Sequence, residues 1–131
     1  MTDPLSSPDL SAPLKSKAGL ARLANALRYS IKGFTTAFRY EAAFRQELLL
    51  VVIALPLGLY LGENGVERAL LVGSLLLVLI VELVNSAVEA IVDMASPELN
   101  DLAGRAKDMG SAAVMSSLIL AGVVWVLALL G

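Results

Sequence analysis

Residues 109–131 carry no charged side chain, and at about 1.5 Å of helix per residue the stretch is long enough to cross a bilayer. Two further apolar runs precede it, at residues 48–61 and 69–81. In a membrane such runs must be helical or belong to a closed barrel, because backbone polar groups find no water there. Helix-length runs select the first option. The composition agrees: 57% of the 131 residues are hydrophobic and the mean hydropathy is +0.76, too oily for an ordinary soluble domain. The expected fold class is an all-α membrane protein in one small domain.

The run at 69–81 continues without a break into Glu82-Leu-Val-Asn85-Ser86-Ala-Val-Glu89-Ala-Ile-Val-Asp93. On a helix, Glu82, Asn85, Ser86, Glu89 and Asp93 fall within an arc of about 100°, while Leu83, Val84, Val88 and Ile91 take the opposite face. A carboxylate at membrane depth costs on the order of 3 kcal/mol, so this stripe is expected to face protein or a wet cavity rather than lipid. Glu82 lies about 10 Å deeper than Glu89 along the helix, which suits it to exchanging a proton. Glu89, nearer water, suits cation binding. The chain has no Cys and no His. Disulfides, thiolate chemistry and the usual neutral-pH base are therefore excluded, and a metal would be a hard ion on oxygen ligands, with Mg²⁺ the natural candidate. The net charge of −2 gives no sign of a nucleic-acid partner.

The remaining segments form the setting of that stripe. Residues 1–16 are rich in Ser and Pro and read as a disordered tail without the pattern of a signal peptide. Residues 17–39 read as an amphipathic surface helix, hinged near Gly33, with Leu20, Leu23, Leu27, Ile31, Phe34 and Phe38 at helical spacing. Lys15, Lys17, Arg22, Arg28, Lys32 and Arg39 lie between Asp9 and Glu41 with no acid among them, as expected for a helix on anionic headgroups. Arg22, Tyr29 and Lys32 suit a phosphate-facing rim. The first span is expected at about 42–61, with Glu41 and Glu47 near the interface, Glu41 and Arg45 spaced as an ion pair, and Pro56 placed to bend it. A tight polar turn leads to the second span, about 67–93. A polar loop follows at 94–108, where Ser96 before Pro97 reads as the N-cap of a short helix. The third span is 109–131, with Ala113, Ser117 and Ala121 as a small-residue packing ridge.

Lys and Arg concentrate before Arg45 and again at Arg105 and Lys107, whereas the first turn has only Arg68. The positive-inside rule then puts the N-terminus and the second loop in the cytoplasm. Glu41, Glu82, Asn85, Glu89, Lys107 and Asp108 converge at that interface. The gathering suits phosphoryl transfer, which needs mainly positioning and charge neutralisation. A proton-coupled small transporter or ring subunit using Glu82 and Glu89 fits the spacing equally well. There is no P-loop, protein-kinase Gly-rich loop or kinase catalytic loop.

Three blocks carry a resemblance: Glu41-Ala-Ala-Phe-Arg-Gln-Glu47, Val81-Glu-Leu-Val-Asn-Ser-Ala-Val-Glu-Ala-Ile-Val-Asp93 and Gly104-Arg-Ala-Lys-Asp-Met-Gly-Ser-Ala112. Together they resemble bacterial integral-membrane diacylglycerol kinase over about residues 18–131. The resemblance implies a homotrimeric helical bundle of three-span subunits with an N-terminal surface helix, residues 17–131 forming one membrane kinase domain. It implies MgATP-dependent phosphorylation of diacylglycerol at the inner membrane, in a site between subunits. It further implies Glu82 as the general base, Asn85 as its orienting neighbour, and Glu41 and Glu89 as Mg²⁺ ligands that also touch ATP. Arg22, Tyr29, Glu98, Leu99, Asn100, Lys107 and Asp108 resemble nucleotide contacts, Leu99 and Asn100 through backbone. Ala43, Phe44, Arg45, Gln46, Glu47, Tyr60, Leu61, Gly62, Glu63, Arg68, Ser111 and Trp125 match lipid-contacting positions, as do segments 26–31 and 35–38. The departures are the extended tail, the loop Pro97-Glu-Leu-Asn100, and a surface helix with Ile31, Phe34 and Phe38 where the family is richer in Trp. Undecaprenol kinase, of the same superfamily, is the close alternative, and the 41–47 block favours diacylglycerol.

Overall fold

The computed structural model describes residues 12–98 and 100–131, with side-chain surroundings from Lys17 onward. The described residues form four helices, α1 (Ala12–Tyr40), α2 (Ala42–Leu61), α3 (Gly65–Ala95) and α4 (Asp101–Leu130). The chain divides into two units, Met1–Thr36 and Ala37–Gly131. The first contains most of α1, which is unbroken at Gly33, and its side chains from Lys17 to Thr36 are exposed on both the apolar and the basic faces. The tail expected over residues 1–16 lies outside the described residues as far as 11, and α1 already begins at Ala12.

The second unit holds α2, α3 and α4, each long and apolar enough to cross a membrane. At 20 residues, α2 spans about 30 Å, the thickness of a hydrocarbon core. Pro56 lies within this continuous helix. At 31 and 30 residues, α3 and α4 run to about 45 Å each and so reach beyond the apolar layer. Their packing follows helical periodicity. α3 buries Leu71, Ser74, Leu75, Val78, Glu82 and Asn85 on one face, against α2 and α4. Phe44, Val51 and Gly58 from α2 are buried at seven-residue spacing. From α4 the buried positions are Ser117 and Ala121, whereas Ala113, expected on the same ridge, is exposed. Ser74 and Ser117 each donate to a carbonyl of their own helix, Leu71 O and Val114 O, so their burial leaves no hydroxyl unpaired.

Gly58 lets the three helices meet closely. A Cβ there would stand 3.3 Å from both the Leu71 Cβ and the Trp125 ring, and Trp125 Nε1 donates to Leu71 O at 3.2 Å. The α2–α3 turn is fixed from both sides. Asn64 caps α3 by accepting from the Glu67 amide at 2.9 Å, and Arg68 Nε donates to Leu59 O at 3.0 Å, filling a carbonyl that the end of α2 leaves open.

The α3–α4 connection differs from the sequence expectation. Ser96 is the C-cap of α3, not the N-cap of a short helix, and its hydroxyl donates to Glu98 O. Asn100 is the N-cap: its Oδ1 accepts from the Ala103 amide at 2.8 Å while its Nδ2 donates to Ser96 Oγ. The segment from Asp101 to Asp108 is therefore the first two turns of α4 rather than part of a loop.

Candidate functional site

The acidic face of α3 passes from core to surface along its length. Glu82 is 3% exposed and Asn85 is 8% exposed, Ser86 and Glu89 are half-buried, and Asp93 is exposed. Helical spacing produces the row, and the packing of α2 and α4 against α3 decides how deep each member sits. Asn85 Nδ2 donates to Glu89 Oε1 at 3.4 Å, which links adjacent turns of the row. The other end of that amide, Asn85 Oδ1, is buried without a hydrogen-bond partner, as is Ser86 Oγ. Gly110 of α4 packs directly against Asn85, and any Cβ at 110 would collide with the amide oxygen.

A second helix adds acids to the row. Glu47 of α2 meets Glu82 carboxyl to carboxyl, and its Oε2 is buried without a donor. Glu41 and Glu89 also act electrostatically on Glu82. Glu41 is the N-cap residue of α2, yet its side chain makes no cap hydrogen bond, so its carboxylate is free for another partner. The i, i+4 partner expected for it is engaged elsewhere: Arg45 donates to Phe38 O at 2.8 Å and Arg39 O at 3.3 Å, closing the end of α1.

The donor set fits a hard cation that brings its own oxygen ligands. Among the described residues no three Asp, Glu, His or Cys side chains cluster tightly enough to hold a metal by themselves. Glu41 and Glu89 are two half-buried carboxylates on the same acid cluster, and one or two carboxylates plus phosphate oxygens is the usual protein share of a Mg²⁺ site.

Lys107 of α4 reaches across to α3, with its Nζ 2.5 Å from Asp93 Oδ1. This is the one ion pair among the described residues. At the start of α4, Asn100, Asp101, Gly104, Arg105 and Asp108 line an open hollow of about 590 Å³. Glu98 is exposed nearby in sequence, and Leu99 lies outside the described residues. A second hollow, of about 470 Å³ and mostly apolar, opens between α3 and α4 beside Asn85, walled by Ile80, Val84, Val88 and Met109. Ser111 is exposed on α4 one residue beyond Gly110.

Other positions singled out in the sequence lie apart. Tyr60, Leu61, Glu63 and Arg68 are exposed around the α2–α3 turn, where Gly62 is buried. Arg68 stands about 21 Å along α3 from Glu82. Trp125 is half-buried near that same end against Leu71 and Gly58. In the 43–47 block, Ala43, Arg45 and Gln46 are exposed, Glu47 is half-buried, and Phe44 at 2% exposure fills the core. Arg22 and Tyr29 are exposed on α1 in the first unit. The Glu47–Glu82 contact and the Gly110–Asn85 contact were not read from the sequence. The available signal was weak: each residue lies in one of the three distinctive blocks, but contact between helices has no periodicity of its own.

Comparison with known proteins adds the following. Residues 28–129 match the family model for prokaryotic diacylglycerol kinase. A diacylglycerol kinase of Pseudomonas aeruginosa is 50% identical over 120 residues, covering 92% of this chain and 98% of that protein. One from Haemophilus influenzae is 48% identical over 107 residues, covering 82% and 91%. One from Escherichia coli K12 is 47% identical over 107 residues, covering 82% and 88%.

Proposed function

The chain belongs to the prokaryotic diacylglycerol kinase family and is an enzyme of that class, and from this premise we propose how its own residues carry out the reaction. The substrates are ATP and diacylglycerol, and the product is phosphatidic acid made at the cytoplasmic face of a bacterial inner membrane. Glu82 is the general base. Its carboxylate takes the proton from the lipid's primary hydroxyl as that oxygen bonds to the γ-phosphorus. The bond from the γ-phosphorus to the bridging oxygen breaks, and ADP leaves with the electron pair.

The observation that carries this reading is the burial of Glu82 among acids from two helices, with the unpaired Asn85 amide oxygen one turn away. A buried carboxylate without a cation is costly in a membrane, and a stripe of acids is a functional feature by default there. Asn85 orients the lipid hydroxyl toward Glu82, and the apolar hollow beside Asn85 supplies a wall compatible with acyl chain. Glu41 and Glu89 would hold Mg²⁺, which when bound neutralises charge on the nucleotide phosphates. Lys107, Asp108, Glu98 and Asn100 meet the nucleotide from the polar end of α3 and α4. The working unit is a homotrimer whose sites lie between chains. Exposed Ile80, Val84 and Ile91 on α3 give apolar surface for a neighbouring chain or lipid.

Purified protein supplied with γ-labelled MgATP and either diacylglycerol or undecaprenol tests the proposal. Label is expected on diacylglycerol, with far less on undecaprenol. Preferential labelling of undecaprenol would transfer the chain to the other lipid alcohol, and label on neither lipid would remove the kinase reading.

A further inference from the structure

Asp93 ends the acid row, and neither the base, the metal ligands nor the lipid contacts make use of it. It is nonetheless the residue that Lys107 pairs with, at 2.5 Å across the α3–α4 groove. Stability does not explain the pair. The side chains are 44% and 64% exposed, and an exposed pair of this kind contributes little once screening and side-chain entropy are counted. Position does explain it. Lys107 sits in the second turn of α4 on a flexible four-carbon stem, and without a partner its ammonium would sample many rotamers in solvent. Glu89, one turn before Asp93 on the same face of α3, also acts on Lys107. The ammonium is therefore held against α3 at the outer end of the row that contains Glu89. An ammonium has three N–H donors, so the bond to Asp93 leaves two for other acceptors.

We propose that Asp93 is a positioning residue that holds the Lys107 ammonium beside Glu89, ready for the phosphate oxygens of the nucleotide. The proposal rests on the nucleotide role assigned to Lys107 above. Asp93 touches neither substrate. It removes in advance the rotamer entropy that Lys107 would otherwise lose when ATP binds.

The test is steady-state kinetics on the full chain at saturating Mg²⁺, comparing wild type with Asp93→Asn, Asp93→Glu, Lys107→Met and the double variant Asp93→Asn/Lys107→Met. Asp93→Asn is expected to raise KM for ATP about 3- to 5-fold, the range of an exposed pair, with a smaller change in kcat. Asp93→Glu is expected to restore most of the affinity. In the Lys107→Met background, Asp93→Asn is expected to do nothing further, because the two residues act as one unit. An unchanged or lowered KM in Asp93→Asn, alongside a raised KM in Lys107→Met, would overturn the proposal and leave the role of Lys107 standing. Additive effects in the double variant would overturn it equally. An unchanged KM in Lys107→Met would overturn both.

Discussion

Glu82 and Asn85 are buried polar residues whose neighbours leave part of their bonding capacity unused. Gly110 is what allows Asn85 to stay where it is, since no Cβ fits between α4 and the amide oxygen. Gly110→Ala therefore has a specific expected outcome. The obstacle is the end of a side chain, so Asn85 swings aside and the helices stay in place. The unfolding midpoint should change little, while kcat falls about tenfold or more because the group that orients the lipid hydroxyl is displaced. Paired thermal unfolding and kinase assays check this. Gly110→Ala with wild-type kcat would show that Asn85 needs no fixed position. At this scale the sequence was informative about Glu82, Asn85, Glu89 and Asp93, because one helix sets their common face. It said nothing of Glu47 meeting Glu82 or of Gly110 meeting Asn85, because those contacts depend on the separation and rotation of two helices.

Among the elements, the three spans were legible because apolar length alone defines them in a bilayer. The α3–α4 connection departs from the sequence expectation for a physical reason. Residues 101–108 are polar, and polarity next to apolar runs resembles a loop. They are also Asp, Leu, Ala, Gly, Arg, Ala, Lys and Asp, mostly good helix formers, and Asn100 caps them. α4 thus carries Lys107 on a rigid turn rather than a loop, which is how it reaches Asp93 at a defined distance. The caps at the other end give a prediction with no bearing on catalysis. Asn64→Ala removes the acceptor for the Glu67 amide and should cost about 1 kcal/mol, while Asn64→Ser should retain most of that. Because Asn64 lies beyond Arg68 and far from Glu82, kcat should not change. Unfolding in mild detergent measures the first part. A loss of kcat without loss of stability would mean that the turn couples to the site.

At the scale of the whole molecule, α3 and α4 both exceed the thickness of the apolar layer. Their shared polar end therefore stands in the interface, and the proposed orientation makes it the cytoplasmic end. The chain has no native cysteine, so single replacements report cleanly. In intact cells a membrane-impermeant maleimide should label Glu63→Cys and spare Glu98→Cys, and permeabilisation should expose the second. The reverse pattern would put the acid row on the side without ATP. Catalysis as proposed turns on the proton accepted by Glu82, and kinase turnover of Glu82→Gln with diacylglycerol and MgATP measures it most directly. Replacing a buried acid by its neutral isostere should leave the fold as stable as before or more so, while kcat falls at least about 100-fold. A stable Glu82→Gln variant turning over near the wild-type rate would contradict it.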